Sequence, residues 1–403
     1  MNIFEPMLPC EKAFELLDNA LAGYQLPGKS VTVAQAYGRV LLNDQTSLLE
    51  LPPFNKSAMD GYAIRADDRQ DQYRVVETVA AGQVSRKTIE PGTAVRIMTG
   101  ACVPPGGGRV IKVEDTQQDG DLIKVLSFED RTNIAEKAQD VRIGDLILSA
   151  GTRLGSLEIA NLVSCGITQL EVVRRPQIAV LSTGDEIVDS PDQLGPGKIM
   201  NSNGPMLAGL AHESGLKLIS QDRVPDTWDA TVAAIENAMD QANLVVLSGG
   251  VSVGEYDFVL KAMSAAGLTV HFSRVAILPG KPTVFASRED TFVFGLPGNP
   301  VSVFIMFHLF VRRAVALLSG STPGLRDFPV RLAADFKRRK IERLQHVPCR
   351  INQAGECEPV DYHGSAHLAA IMRADGFFLV AVGTAELKAG QQVTFIPMAG
   401  GFK

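Results

Sequence analysis

Residues 244–257 read Leu244-Val-Val-Leu-Ser-Gly-Gly-Val-Ser-Val-Gly-Glu-Tyr-Asp257. The first four are apolar and two of them are β-branched, the composition of a strand buried on both faces. The run stops at Ser248-Gly249-Gly250, where side chains shrink and backbone N–H groups can approach a ligand closely. Ser252, Val253 and Gly254 form a second small loop that delivers Glu255 and Asp257 to the mouth of the turn. The same plan occurs twice more. Residues 178–181 are an apolar run opening into Ser182, Thr183, Gly184, Asp185 and Glu186. Residues 292–296 end in Pro297-Gly298-Asn299-Pro300, with Ser302 just beyond. In a parallel α/β sheet the loops at the carboxyl ends of strands face one crevice, and ligands bind there. Three such loops on one edge predict a site.

Working outward, helical patterns fall between and after these runs at 205–213, 228–241, 256–266 and 299–318. Asn299 is a natural N-cap and Pro300 a natural first helical residue, so the last helix is expected to start there. Alternating strand and helix predicts a parallel sheet covered on both faces. Upstream, 9–21 carries a helical stripe at Ala13, Leu16, Leu17, Ala20 and Leu21, 31–33 reads as a short strand, and Ser156 can cap a helix over 157–165. From 62 to 148 short β-like runs are separated by Gly, Pro and Asp with no helix between them, the pattern of an inserted all-β module. Beyond Gly324 the character is again β, at 329–332, 347–351, 376–382 and 392–396, which predicts a small barrel or sandwich. The expected fold is therefore multidomain α/β. An N-terminal mixed linker domain (1–45 with 145–175) and an inserted β module (46–144) precede an α/β domain (176–322) and a C-terminal β domain (323–403).

Composition narrows the function. A chain of 403 residues with net charge −6 and a pI near 5.6 lacks the basic face that a nucleic-acid partner requires. The run Lys337-Arg-Arg-Lys340 in so acidic a chain reads as a solvated turn. Five cysteines, odd in number and without a CxxC pair, point to reduced thiols and a cytoplasmic location. No signal peptide is apparent. The most apolar stretch, 301–318, is interrupted by His308, Arg312 and Arg313, which favours a buried helix over a membrane span.

The chemistry is expected in the loops. Asp185, Glu186, Asp226 and Asp257 each lie at or near the end of an apolar run, and carboxylates gathered there suit Mg²⁺, a hard cation that also binds phosphate oxygens. Lys281, in Pro279-Gly280-Lys281-Pro282, can meet a phosphate or oxyanion as a point charge. Ser182, Thr183, Ser248, Ser252 and Ser302 offer hydroxyls. Gly184, Gly249, Gly250 and Gly298, with the helix start at Asn299-Pro300, offer backbone donors to an anion. Alone, an Asp in a turn is more often structural than catalytic; it is the convergence of three loops that points to a ligand.

Five motifs then occur in order: Ser57-Ala-Met-Asp-Gly-Tyr-Ala63, Arg96-Ile-Met-Thr-Gly-Ala101, Leu181-Ser-Thr-Gly-Asp-Glu186, Ser248-Gly-Gly-Val-Ser-Val-Gly-Glu-Tyr-Asp257 and Gly295-Leu-Pro-Gly-Asn-Pro-Val-Ser302. Together they resemble the molybdopterin molybdenumtransferase family, bacterial MoeA and the E domain of gephyrin, over nearly the whole chain. The resemblance implies a four-domain homodimer that inserts molybdate into adenylylated molybdopterin, releases AMP and uses a divalent cation. It implies a cleft between the α/β domain of one subunit and the β module of the other, and a molybdoenzyme client downstream. The residues it marks as catalytic are Asp60, Thr99, Asp140, Glu186, Asp226 and Asp257. Ser182 to Gly184, Ser248 to Gly250, Ser252, Lys281 and Pro297 to Pro300 are marked for substrate, and Asp185, Glu186, Asp226 and Asp257 for metal.

The chain departs from the family pattern in places. Where the family reads Asn-Ile-Arg-x-x-Gly-Glu-Asp, this chain has Asn133-Ile-Ala-Glu-Lys-Ala-Gln-Asp140. Where the family has Lys-Pro-Gly-Lys, this chain has Leu278-Pro-Gly-Lys281, and a late Ser-Ser pair is Ala369-Ala370. Two cationic positions are thus neutral, unless Lys137 substitutes. An alternative follows: a paralogue that binds the finished cofactor and carries it to a client without catalysis.

Overall fold

The computed structural model describes residues 7–250, 258–324 and 327–398. The chain divides into two units, 30–172 and the remainder, 1–29 with 173–403. The first helix, α1 (Cys10–Leu21), buries Cys10, Ala13, Leu17 and Leu21, a stripe at helical spacing.

The 30–172 unit is built on a six-stranded sheet of β1 (Gly61–Ile64), β2 (Gln72–Val79), β3 (Thr93–Ile97), β4 (Arg109–Lys112), β5 (Thr116–Asp119) and β6 (Leu122–Val125), in the order β4-β1-β3-β2-β6-β5. Only β2 and β3 run parallel within it. Side chains alternate between its faces. Ala63, Val95 and Val110 join one buried cluster, and Tyr62, Ile64, Ala94 and Ile111 join the other. Coverage on both sides explains why short strands with little visible alternation hold together here. The flanking segments share a separate core of Val31, Val33, Leu41, Leu154, Leu162 and Val172. The strand expected at 31–33 runs Gly28–Thr32 and gives way to a 3₁₀ turn at Val33–Gln35. Ser156 does not cap the helix there, α2 (Ser156–Ser164). The N-cap is Gly155, whose N–H donates to Glu158 Oε2 at 2.9 Å, so Glu158 reaching back from the first turn does that work.

Ala138, which replaces a family glycine, sits at φ +60°. That left-handed conformation costs an L-residue about 1–2 kcal/mol, partly offset in a glycine by its greater unfolded-state freedom. Ala138→Gly should therefore raise stability by about 0.5–1 kcal/mol, measured as a higher denaturant midpoint at unchanged slope. Gln139, which replaces the adjoining acid, still accepts the Glu136 N–H through Oε1 at 3.1 Å. The turn thus keeps its hydrogen-bond acceptor without the charge.

The second unit carries the α/β sheet. Its elements are β7 (Gln177–Thr183), α3 (Asn203–Glu213), β8 (Lys217–Val224), α4 (Trp228–Met239), β9 (Leu244–Ser248), α5 (Phe258–Ala265), β10 (Thr269–Phe272), β11 (Val284–Arg288) and β12 (Thr291–Leu296). The sheet order is β8-β7-β9-β12-β11-β10. The first four strands are parallel, as the alternation predicts. β11 runs antiparallel to both of its neighbours, β12 and β10, so the sheet is mixed. The reason is local: Arg288 pairs with Thr291, leaving only Glu289 and Asp290 to connect β11 and β12, and so short a link can only make a hairpin. Ala179, Leu181, Val245, Leu247 and Val293 pack under α4 and α5 on one face. Ile178, Val180, Val246 and Phe294 are equally buried on the other, which α3 and the last long helix cover.

That long helix comprises α6 (Pro300–Met306), a π turn at Phe307–Val311, and α7 (Arg312–Leu318). His308 Nδ1 donates to Phe304 O at 2.9 Å, a side chain engaged with the helical ladder at the π turn. Burial holds the His308 imidazole near a pKa of about 4, so it is neutral. By length and hydropathy (19 residues, mean 1.9) the helix could cross a membrane, but 72% of it is buried inside the protein, where it packs as a core helix. Arg313 grips Asp18 of α1 through two bonds, at 2.6 and 2.5 Å, and lies over the Phe14 ring.

Downstream, β13 (Phe328–Arg331), β14 (Leu344–Ile351), β15 (Cys357–Pro359), β16 (Gly376–Val380) and β17 (Gln392–Pro397) pair in the sequence β15-β14-β16-β17-β13. Leu332, just past β13, bridges Cys357 of β15 and closes the ring into a small barrel. Its interior holds Val330, Val347, Cys349, Phe378 and Phe395.

Candidate active site

Strands β7, β9 and β12 lie side by side with Ser182, Ser248 and Leu296 in register, so their carboxyl ends are level. From β7 the chain leaves towards β8 and returns to β9 on the other side, making the gap between β7 and β9 a topological switch point. The turns meet there. Gly249 N–H donates to Leu296 O at 3.1 Å. Gly249 has φ +94°, and a Cβ on it would fall 2.5 Å from Thr183 O, so only glycine fits. Gly298 packs next to it, its own Cβ position 3.8 Å from Gly249 Cα. The structure thus brings together Thr183, Gly249, Gly250 and Gly298, as the three-loop reading expects. Ser182 and Ser248 lie just beneath, fully buried.

The carboxylates gather at one side of this crevice. Asp185 N–H donates to Asp226 Oδ2 at 3.3 Å, and Asp226 N–H donates to Asp185 Oδ1 at 3.2 Å. Each acid thereby holds the other's backbone. Burial raises the Asp226 carboxyl above the usual range, and the negative charges of Asp185 and Glu186 add to that rise, against the Asp185 N–H that lowers it. Glu186 folds back over Gly184, where a Cβ would lie 2.6 Å from its Oε2. Ser252 and Asp257 lie outside the described residues. Among the described residues no three His, Cys, Asp or Glu side chains are grouped as a metal site.

Two further groups carry charge. Lys281 follows Gly280, which lies against Met306 of α6. Burial first, then the charges of Arg274 and Arg343, hold its ammonium below the usual lysine range. In the 30–172 unit, Asp60 Oδ1 accepts from Thr99 N–H at 2.7 Å and from Thr99 Oγ1 at 2.8 Å. Those two bonds, with Arg96 contributing least, keep the exposed Asp60 carboxyl below its ordinary value. Asp140 is exposed, its N–H bonded to Leu51 O at 2.9 Å. Lys137 does not stand free to replace the missing arginine: its ammonium pairs with Glu50 at 2.8 Å and its N–H with Asn55 Oδ1 at 2.7 Å.

Asn299 is the N-cap of α6, but its side chain does not cap. Its Nδ2 donates to Ser365 Oγ at 2.7 Å, and the first-turn N–H of Val301 finds Ser365 O at 3.0 Å. Sequence reasoning also missed Asn203, whose Nδ2 donates to Gly298 O at 2.7 Å, and Lys198, whose ammonium donates to Asp185 O at 2.6 Å. The signal was present in Asn201-Ser202-Asn203, three polar residues where α3 begins, two positions before the proline expected to start it.

Comparison with known proteins gives matches along nearly the whole chain. Residues 8–166 match the MoeA N-terminal region (domain I and II), 179–317 a probable molybdopterin binding domain, and 329–398 the MoeA C-terminal region (domain IV). A molybdopterin molybdenumtransferase of Staphylococcus epidermidis is 33% identical over 378 residues, covering 91% of this chain and 90% of that one. One from Staphylococcus aureus is 32% identical over 403 residues, covering 96% and 95%. The crystal structure of the molybdopterin biosynthesis moeA protein from Pyrococcus horikoshii superposes with a TM-score of 0.85 at 27% identity, over 98% of this chain and 100% of that one.

Proposed function

The chain belongs to the molybdopterin molybdenumtransferase family, and on that premise we propose that it inserts molybdate into adenylylated molybdopterin and releases AMP. The observation that carries the reading is the meeting of three strand-end turns at the switch point, with Asp185 and Asp226 locked together beside them. Thr183, Gly184, Gly249, Gly250 and the Pro297–Pro300 turn bind the phosphoryl region, where absent side chains leave backbone within reach of an anion. Asp226, whose charged form is disfavoured, takes and returns a proton at the adenylate phosphate.

Asp185 and Asp226, each bonded to the other's backbone N–H, are proposed together with Glu186 as ligands of a divalent cation such as Mg²⁺, which would have to draw the three carboxylates together. Asp257 is proposed as a further ligand. Bound there, the cation would polarise phosphoryl oxygens. Lys281, with Arg274 and Arg343 beside it, takes the molybdate oxyanion. The likeness to molybdopterin molybdenumtransferases over nearly the whole chain supports the enzyme reading over a carrier.

Asp60, Thr99 and Asp140 are proposed to serve the same reaction from the 30–172 unit of a homodimeric, cytoplasmic enzyme that passes its product to a molybdoenzyme. The test is an assay with adenylylated molybdopterin, molybdate and Mg²⁺ that reads AMP and finished cofactor together. Stoichiometric appearance of both is expected; pterin binding with neither product would refute the enzyme reading.

A further inference from the structure

Three buried polar atoms around the crevice lack a partner among the described residues: Ser182 Oγ, Ser248 Oγ and Asn203 Oδ1. Ser182 and Ser248 are fully buried and Asn203 is 7% exposed. The serines are register partners on the adjacent strands β7 and β9. Their neighbours Leu181 and Leu247 enter the core under α4 and α5, so by strand alternation both hydroxyls belong to the opposite face. That is the face α3 covers, and Asn203 is the first residue of α3, which packs on β7 and on α6. Asn203 already spends its amide N–H on Gly298 O, the middle of the third turn. The three atoms therefore come from the elements that frame the switch point, and each would be costly left unpaired.

We propose that Asn203 is a positioning residue for the reaction above, holding the Pro297–Pro300 turn through Gly298 while its carbonyl oxygen, Ser182 and Ser248 share one buried water. Both serine hydroxyls donate to the water oxygen, and one water hydrogen goes to Asn203 Oδ1, so each of the three groups is paired. On this account Ser182 and Ser248 do not touch the substrate. They fix the floor on which Gly249 and Gly298 present their backbones.

The proposal rests on the reading of the crevice as the adenylate site, so its test includes direct binding. Asn203→Asp keeps the acceptor but replaces the N–H that Gly298 O needs. The expected result is an AMP affinity weaker by about tenfold, and a KM for adenylylated molybdopterin raised to match, with kcat within about twofold and the melting temperature little changed. Ser248→Ala, which leaves the Gly298 bond intact, should shift both constants less. A high-resolution crystal structure of the wild type should show one water bonded to all three groups. Unchanged AMP affinity in Asn203→Asp overturns the positioning role, and so does a loss confined to kcat. Absence of the water, or a polar ligand atom bonded directly to Ser182 or Ser248, overturns the shared-water arrangement. If wild type binds AMP but forms no cofactor, the enzyme reading fails while the affinity comparison still decides the role of Asn203.

Discussion

Asp226→Asn is expected to cut AMP release by about a hundredfold or more, the scale of losing a general acid–base group, while making the unliganded protein slightly more stable. Both effects come from the same carboxyl. Burial and the charges of Asp185 and Glu186 raise its pKa in the folded chain, so the folded state holds the proton to higher pH than the unfolded state does. Its negative charge therefore costs stability. That cost appears as pH rises past the ordinary value of 3.8 and is complete above the raised one. The Asn variant should match wild type at the acid end of that window and exceed it at neutral pH. The group is only partly buried, so the gain is under about 1 kcal/mol after solvent screening. Mg²⁺ should raise the melting temperature of wild type by linkage and raise that of the variant less. An Asn variant with wild-type AMP release would remove Asp226 from the chemistry.

Lys281→Met should raise the molybdate concentration for half-maximal cofactor formation by roughly ten- to a hundredfold. A charge-assisted hydrogen bond to an oxyanion contributes about 1.5–3 kcal/mol, and each 1.4 kcal/mol is about tenfold in affinity. Burial first, then the charges of Arg274 and Arg343, disfavour the Lys281 ammonium, and an incoming anion would relieve that. Molybdate should accordingly stabilise wild type against heat, and the Met variant less. Leu278→Lys restores a lysine three positions before Lys281 and should lower the requirement by a smaller factor, because Lys281 is already in place. Pterin affinity should change little in either variant. Superimposable molybdate curves for wild type and Lys281→Met would place the oxyanion elsewhere.

Strands β7, β9 and β12 were legible because each is an apolar run with nearly every residue buried, with a glycine one or two residues past its end. The reversal at β11 was not. Its turn is Glu289-Asp290, with Glu289 at φ +49°, and it carries none of the Asn-Gly or Asp-Gly signature that marks a tight hairpin. The start of α3 was read two residues late, because proline is the commonest first-turn signal and the Asn201 side chain, which accepts Gly204 N–H at 3.0 Å, is a quieter one. The glycine turns of the site showed in the sequence because small residues have local consequences. The Asn203–Gly298 bond and the Lys281–Arg274–Arg343 group did not, since each joins residues far apart in the chain and of ordinary type.

The helix over Pro300–Leu318 has a consequence for how the chain is made. Its sheet and α1 precede it in the sequence, but Ser365, which holds the Val301 N–H, and Phe377, 6.3 Å from Phe304, do not. Those partners leave the ribosome some 60 to 75 residues later. At a synthesis rate of about 5–20 residues per second, the most apolar segment of the protein spends on the order of 3–15 seconds with one flank bare. During that interval Arg312 and Arg313 are the charges that make the nascent segment a poor substrate for membrane insertion, and Arg313 can already reach Asp18 of the finished α1. An ion pair that is one contact among many in the mature fold is thus available to hold the helix down before the barrel exists to cover it.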